Sequence, residues 1–302
     1  MNKSEQVLYI YTETPLHVGT GTGLGAVDMP IQREKHTRYP IIQASGVKGA
    51  LRDTAEIAIG RKTDEGQSRI LSLFGGASGS DAETHAGAIS PSDARILCFP
   101  VRALKGVFVW VTSPVVLERY QRETNANIKV DFPELTQNGE PSAIVSSGNV
   151  LVNKSVMLEE FAYRAEEHDV AKTWANHLAE KLFPEGGYWQ TRLRDHLVIL
   201  PDDEFRDFVQ YSTDIVTRIH LDDETKIVKD GQLFTQELLP ADAVLYSVLH
   251  LTKSRGGLDL SVTEVADQIK TAIGQSIQIG ADETVGRGRV RLAWGALNNG
   301  NK

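Results

Sequence analysis

One carboxylate, Asp28, ends a loop in which every second residue from Gly19 to Gly25 is glycine. Arg33, Lys35 and Arg38 follow within ten residues. Glycines such as Gly19, Gly21 and Gly23 carry no side chain to keep a ligand's backbone away from the main chain. A second loop, Gly280-Ala281-Asp282-Glu283-Thr284-Val285-Gly286-Arg287-Gly288-Arg289, repeats the combination, and Arg287, Arg289 and Arg291 alternate beyond it. Two glycine loops with adjacent cations suit a chain of phosphates tracked along a groove. An acid beside such a path could take a proton from a nucleophile or hold a metal ion, although those tasks usually call for paired carboxylates. A lone loop aspartate can also cap its own backbone, and on residue types alone both readings stand.

Other residues extend the groove. In Ser45-Gly46-Val47-Lys48-Gly49-Ala50-Leu51-Arg52, Ser45 is placed to cap a helix whose free N–H groups attract anions. Lys48 and Arg52 share one face of it. The plainer alternative pairs Arg52 with Asp53 or Glu56. The first glycine run is no nucleotide-triphosphate loop, because no Gly-Lys-Ser/Thr closes it, and it lacks the dinucleotide spacing. His17 is a candidate ribonuclease base with no second histidine beside it in sequence, which favours a structural role. Glu237 is a second acid, read as a structural residue of a hairpin.

These residues need elements to position them. Residues 5–13 read as a strand and 45–59 as a helix. The stretch 60–87 reads as irregular around the small residues 77–80. Strands follow near 89–99 and 106–112, and then a short helix from Pro114 to 122. The tail offers a matching half: a strand over 243–251, a helix capped by Ser261, and strand-like runs at 275–279 and 288–292. Two such halves make an α+β fold with a ferredoxin-like (RRM-like) palm. The middle then holds insertions, including a hairpin of strand 214–221, tip 222–226, an Asp230-Gly231 turn and a return from Gln232. The expected organisation is 1–122 and 241–302 as the two parts of the palm, 123–213 as an inserted mixed α/β region, and 214–240 as a protruding hairpin.

The 302 residues can bury a substantial core, and 41% hydrophobic with 24% charged residues is ordinary for a globular protein. No apolar stretch approaches a membrane span and the polar start does not read as a signal peptide, so the expectation is a cytoplasmic protein with no membrane partner. The single cysteine, Cys98, excludes a disulfide framework or cysteine zinc site within one chain. A net charge of -8 argues against a protein that coats nucleic acid indiscriminately. It does not exclude a local basic groove, because salt limits the reach of distant acids to about 10 Å.

Together these motifs resemble the RAMP superfamily, and within it the backbone subunit of Cmr-type (type III-B) CRISPR effector complexes. The resemblance is carried by Thr14-Pro15-Leu16-His17-Val18-Gly19-Thr20-Gly21, Val27-Asp28-Met29-Pro30-Ile31-Gln32-Arg33-Glu34, Ala44–Arg52, Leu73-Phe74-Gly75 and Asp282–Gly288. It implies a subunit that stacks with further copies of itself along a guide RNA, beside other Cmr-complex subunits. It also implies that the hairpin acts as a thumb displacing target nucleotides at regular intervals. Asp28 stands where the family's catalytic aspartate stands, so the resemblance implies a metal-dependent endoribonuclease acting on target RNA, Mg²⁺ being the expected ion. One carboxylate cannot hold that ion tightly, so phosphate oxygens and water must complete its shell. The RNA-binding set expected is Gly19, Gly21, Gly23, Ser45, Lys48, Arg52, Arg218, Gly286, Arg287, Gly288 and Arg289. The rival readings are a non-catalytic guide-RNA scaffold and a guide-processing endoribonuclease acting through His17.

Overall fold

The first strand, Lys3–Thr12, has Val7, Leu8, Tyr9, Ile10 and Tyr11 all buried. A continuous apolar run of this kind, lacking alternation, marks a strand covered on both faces. It pairs antiparallel with Val244–Thr252 on one side, Val7 opposite Val248, and with Arg289–Ala296 on the other, Tyr9 opposite Ala293. Val244–Thr252 pairs in turn with Ile89–Pro91 and with Ala94–Arg102, again antiparallel. Two helices, Ala44–Ile59 and Val262–Ile273, pack against each other; Val47, Leu51 and Ala55 of the first and Val265, Ile269 and Ile273 of the second are buried. The computed structural model describes residues 3–23, 25–60, 62–76, 85–221 and 228–296. Among them no helix is long and apolar enough to cross a membrane.

The sheet does not stop at Ala94–Arg102. Arg95–Cys98 faces Val244–Tyr246, with a register shift between Val244 and Leu245, while Phe99–Arg102 pairs with Phe108–Thr112. Phe108–Thr112 runs parallel to Leu197–Ile199, and the sheet continues through Glu140–Val145, Phe161–Glu167 and Ser155–Leu158. The result is an α+β architecture on one 13-stranded, mostly antiparallel sheet. The strand expected at 106–112 therefore pairs with the inserted region. A separate two-stranded ribbon, Asp214–Leu221 with Val228–Leu238, forms the hairpin.

Local expectations were met unevenly. Ser261 caps its helix in a reciprocal box with Glu264. Ser45 does not cap: the helix begins at Ala44 after Gln43, which makes no side-chain cap. Asp93 takes the role instead, its Oδ1 accepting from the Ala44 N–H at 2.8 Å, because the sheet brings that carboxylate to the helix start. Residues 64–74, left without structure by the sequence pattern, form a helix, Asp64–Phe74, capped by the Thr63 hydroxyl. Asp230-Gly231 lies inside the return strand and not at a turn. One residue separates Ile219 from Leu221 on the outgoing strand, where four separate Val228 from Leu233 on the return strand. The Asp-Gly pair thus falls in a bulge-like irregularity, the other setting that favours glycine in a strand. The stretch 77–80 and the expected tip 222–226 lie outside the described residues.

A buried polar chain ties the first strand to the inserted helices. The hydroxyls of Tyr9 and Tyr120 meet at 2.6 Å, and that of Tyr120 lies 2.9 Å from His177 Nε2. Burial pushes the His177 imidazole down to about 4. In the unfolded chain it titrates near 6.5, so as pH falls the unfolded state takes the proton first. Stability from neutral His177 is complete above that pH and is lost toward pH 4. Between pH 7 and 5 the protein should lose about 2 kcal/mol through this group. Urea unfolding at the two pH values checks this, since His177→Gln should remove that part of the pH dependence and an unchanged difference would assign it elsewhere.

Candidate active site

Three segments meet at the foot of the hairpin. The chain after the first strand pairs with the return strand and with the C-terminal glycine loop through isolated bridges: Leu16 with Leu239, His17 with Ala281, and Met29 with Gln236. The glycine loop folds back on itself, Gly23 N–H donating to Asp28 O at 2.7 Å and Thr20 N–H to Pro30 O at 3.1 Å. Gln32 braces it, with its side-chain amide on Gly19 O at 3.1 Å and its Oε1 accepting from Gln43 N–H at 2.9 Å. The helix carrying Lys48 thus starts against the same loop.

Asp28 is exposed, and its carboxylate is held by the hairpin. Its Oδ2 accepts from the Thr235 N–H at 2.7 Å and from the Thr235 hydroxyl at 2.8 Å, and its own N–H donates to the Thr235 hydroxyl oxygen at 3.0 Å. The main chain closes the arrangement on the next residue, Met29 N–H to Thr235 O and Glu237 N–H to Met29 O, both 3.0 Å. The two donors from Thr235 hold the carboxyl below the usual carboxylate range, so it is ionised at neutral pH. Oδ1 has no hydrogen bond among the described residues. No group of three or more His, Cys, Asp or Glu side chains among them could hold a metal ion. For a divalent ion here Asp28 Oδ1 is the carboxylate oxygen without a hydrogen bond among the described residues, which fits an ion completed by other ligands such as phosphate oxygens and water.

The neighbouring acid and histidine face inward. Glu237 is buried; its Oε1 meets Arg33 at 2.5 Å and the Thr213 hydroxyl at 2.8 Å, and its Oε2 accepts from Ile31 N–H at 3.0 Å. His17 is 2% exposed, with Nδ1 2.8 Å from Glu237 O. A Cβ on Gly19 would stand 2.6 Å from His17 Nε2. A side chain at 19 would have to displace the His17 ring, which lies enclosed beneath the loop and off the open surface. Gly288, at φ +77°, likewise admits Ile279 O where a Cβ would be 2.1 Å away. By contrast, a Cβ on Gly21 or Gly286 would meet nothing within 4 Å.

Residues 9–291 match the RAMP superfamily. The chain belongs to that superfamily. It is 37% identical over 305 residues to the CRISPR system Cmr endoribonuclease Cmr4 of Pyrococcus furiosus, covering 96% of this chain and 95% of the relative. The crystal structure of oligomeric Cmr4 from Pyrococcus furiosus superposes with a TM-score of 0.72 at 32% identity, covering 98% of this chain and 99% of that one. A chain of the type III-B Cmr-beta assembly bound to cognate target RNA shares the fold, with a TM-score of 0.71, 22% identity and 96% of each chain covered.

The cations of this RAMP chain fall into two groups. Arg52 is occupied by Glu56 at 2.8 Å and by Gly75 O at 3.2 Å, as the plainer alternative had it. Arg289 pairs with Glu13 at 2.8 Å on the open surface. Arg218 spans from the hairpin to Asp282 of the C-terminal loop at 2.8 Å and to Gln236 Oε1 at 2.9 Å. Lys48 and the Arg287 guanidinium have no hydrogen-bond or ion-pair partner among the described residues. Burial and the nearby Arg52 lower the Lys48 ammonium below its usual value. Ser45 is exposed one residue into the helix. No hydrogen bond or ion pair among the described residues joins Lys48 or Arg52 to Asp28. Sequence reasoning missed Thr235 and the joint made by Asp282, Gln236 and Arg218. Their only signal was a threonine and a glutamine side by side on a ribbon, one for each face.

Proposed function

We propose that this RAMP chain is the repeated backbone subunit of a type III-B CRISPR effector complex, an endoribonuclease that cuts guide-paired target RNA at regular intervals. The Pyrococcus furiosus relative is named a CRISPR-system Cmr endoribonuclease, at 37% identity across nearly the whole chain, which supports the endoribonuclease part of this reading. The observation that carries the reading is Asp28, an exposed, ionised carboxylate fixed to the foot of a hairpin between two glycine loops. The hairpin 214–240 is the thumb. The antiparallel order 289–296, 3–12, 244–252, 94–102, with two helices packed together, supports a ferredoxin-like palm. Guide RNA, target RNA, further copies of the chain and other Cmr subunits are the partners, and the cytoplasm is the place.

The chemistry follows from what the thumb does to the target. A displaced nucleotide leaves helical geometry, and its 2′-OH can swing into line with the adjacent phosphate. Asp28 Oδ1 is the oxygen free to face that nucleophile, as proton acceptor or as a ligand of a divalent ion, Mg²⁺ in this reading. Such an ion would supply charge neutralisation at the phosphate. Lys48, Arg52, Arg287 and Arg289 hold RNA phosphates, the first and third without giving up an ion pair. Gly21 and Gly286 let the backbone come close, whereas at Gly23 the space a Cβ would take is lined by Pro30 and Val27 O, 3.0 and 3.1 Å away. Incubating the assembled complex with labelled complementary RNA, with magnesium or with chelator, tests the function. Regularly spaced products with magnesium alone are expected, whereas intact target under both conditions would leave the chain a guide-binding scaffold.

A further inference from the structure

A carboxylate on the surface of a loop ordinarily samples several rotamers, yet reaction requires one oxygen held within a fraction of an ångström of its target. At Asp28 the restraint comes from a single residue on another element. Thr235 gives Oδ2 both its N–H and its hydroxyl, while the same hydroxyl oxygen receives the Asp28 N–H and Thr235 O receives the Met29 N–H. Adjacent residues of a strand point to opposite faces. Gln236, next along, correspondingly turns the other way, its amide reaching Asp282 Oδ2 at 2.7 Å. The return strand therefore clasps the Asp28 loop with one residue and the C-terminal loop with the next.

We propose that Thr235 is the positioning residue for Asp28: it commits Oδ2 to the hairpin and leaves Oδ1 as the one oxygen the carboxylate can turn to RNA. The reacting oxygen is then registered to the hairpin and not to the glycine loop, so the element that spaces the target also aims the acid. This inference rests on the reading of Asp28 as catalytic. The Thr235 hydroxyl is the separable part of the contact, because the N–H remains in any variant.

The test is single-turnover cutting of target RNA by the assembled complex carrying Thr235→Val, Thr235→Ser or Asp28→Ala, with target affinity measured alongside. Valine keeps the shape and the strand preference and removes only the hydroxyl; serine restores the hydroxyl without the methyl. Thr235→Val should slow cutting about 10-fold, the worth of one hydrogen bond to a charged group, with target affinity unchanged. Thr235→Ser should come within about twofold of the parent if the hydroxyl is what matters. Parental cutting by Thr235→Val, a serine variant as slow as the valine one, or a loss confined to target affinity would each overturn the proposal. Asp28→Ala separates the two possible failures. Were it to cut at the parental rate, the catalytic reading would fall and the positioning role with it; an inactive Asp28→Ala beside an unimpaired Thr235→Val removes the positioning role alone.

Discussion

Asp28→Asn is expected to leave folding, assembly and target binding intact while cutting falls at all regular sites together, by about 10² to 10⁴ in rate. Asparagine keeps one oxygen that can still accept both bonds from Thr235, so the loop should stay where it is. What changes is the other atom: an amide nitrogen replaces Oδ1, a donor where an acceptor stood. It can neither take a proton from a 2′-OH nor bind a cation. Binding should, if anything, tighten, because a negative charge beside a phosphate path opposes the ligand. Single-turnover assays with metal decide the matter. Cutting at the parental rate would reduce Asp28 to a loop cap and leave the chain a scaffold.

The distinction between what the sequence revealed and what it hid follows the range of the forces involved. Asp28 and its glycines were legible because they are contiguous, and the Ser261–Glu264 box because capping is local. The helix start at 44–52 was legible as a helix but not as a cap. Asp93, forty-nine positions away, closes it, and no local rule reaches that far. The same holds for Asp28 and Thr235, 207 residues apart, and for Arg218 with Asp282. Arg52 was readable as a phosphate ligand or as the partner of Glu56, and only the packed helix places the carboxylate on it. The Asp-Gly pair at 230–231 misled because a tight turn and a strand irregularity both favour glycine. Which one applies depends on the register with the facing strand. The glycines at 19 and 288 were noticed for what they admit from outside, yet the space beside each is taken by a neighbour within the chain.

Glu237 supplies the second large effect, on stability. It is buried with Arg33, side-chain exposures being 8% and 6%, and it also satisfies Ile31 N–H and the Thr213 hydroxyl. Glu237→Ala leaves the Arg33 charge in place without its counter-ion, and removing one partner of a buried pair typically costs about 3 kcal/mol or more. Arg33 still donates to Arg38 O and Val209 O at 2.8 Å, which keeps the expected loss near the lower end of that range. Glu237→Gln keeps a single acceptor oxygen, enough for Ile31 N–H or for the donors on Oε1 but not for both, and should still lose less than alanine, while Glu237→Leu with Arg33→Met, which removes both charges, should recover part of the alanine loss. Urea unfolding of the three variants checks the order. The order matters for function because Ile31 and Arg33 lie three and five residues beyond Asp28, so the pair anchors the far side of the Asp28 loop. A folded Glu237→Gln complex should therefore cut target RNA within a few-fold of the parent rate, as a small displacement of the loop implies. If it folds as stably as the parent and does not cut, Glu237 acts on the RNA itself, and the inward-facing geometry seen here is not the one in which reaction occurs.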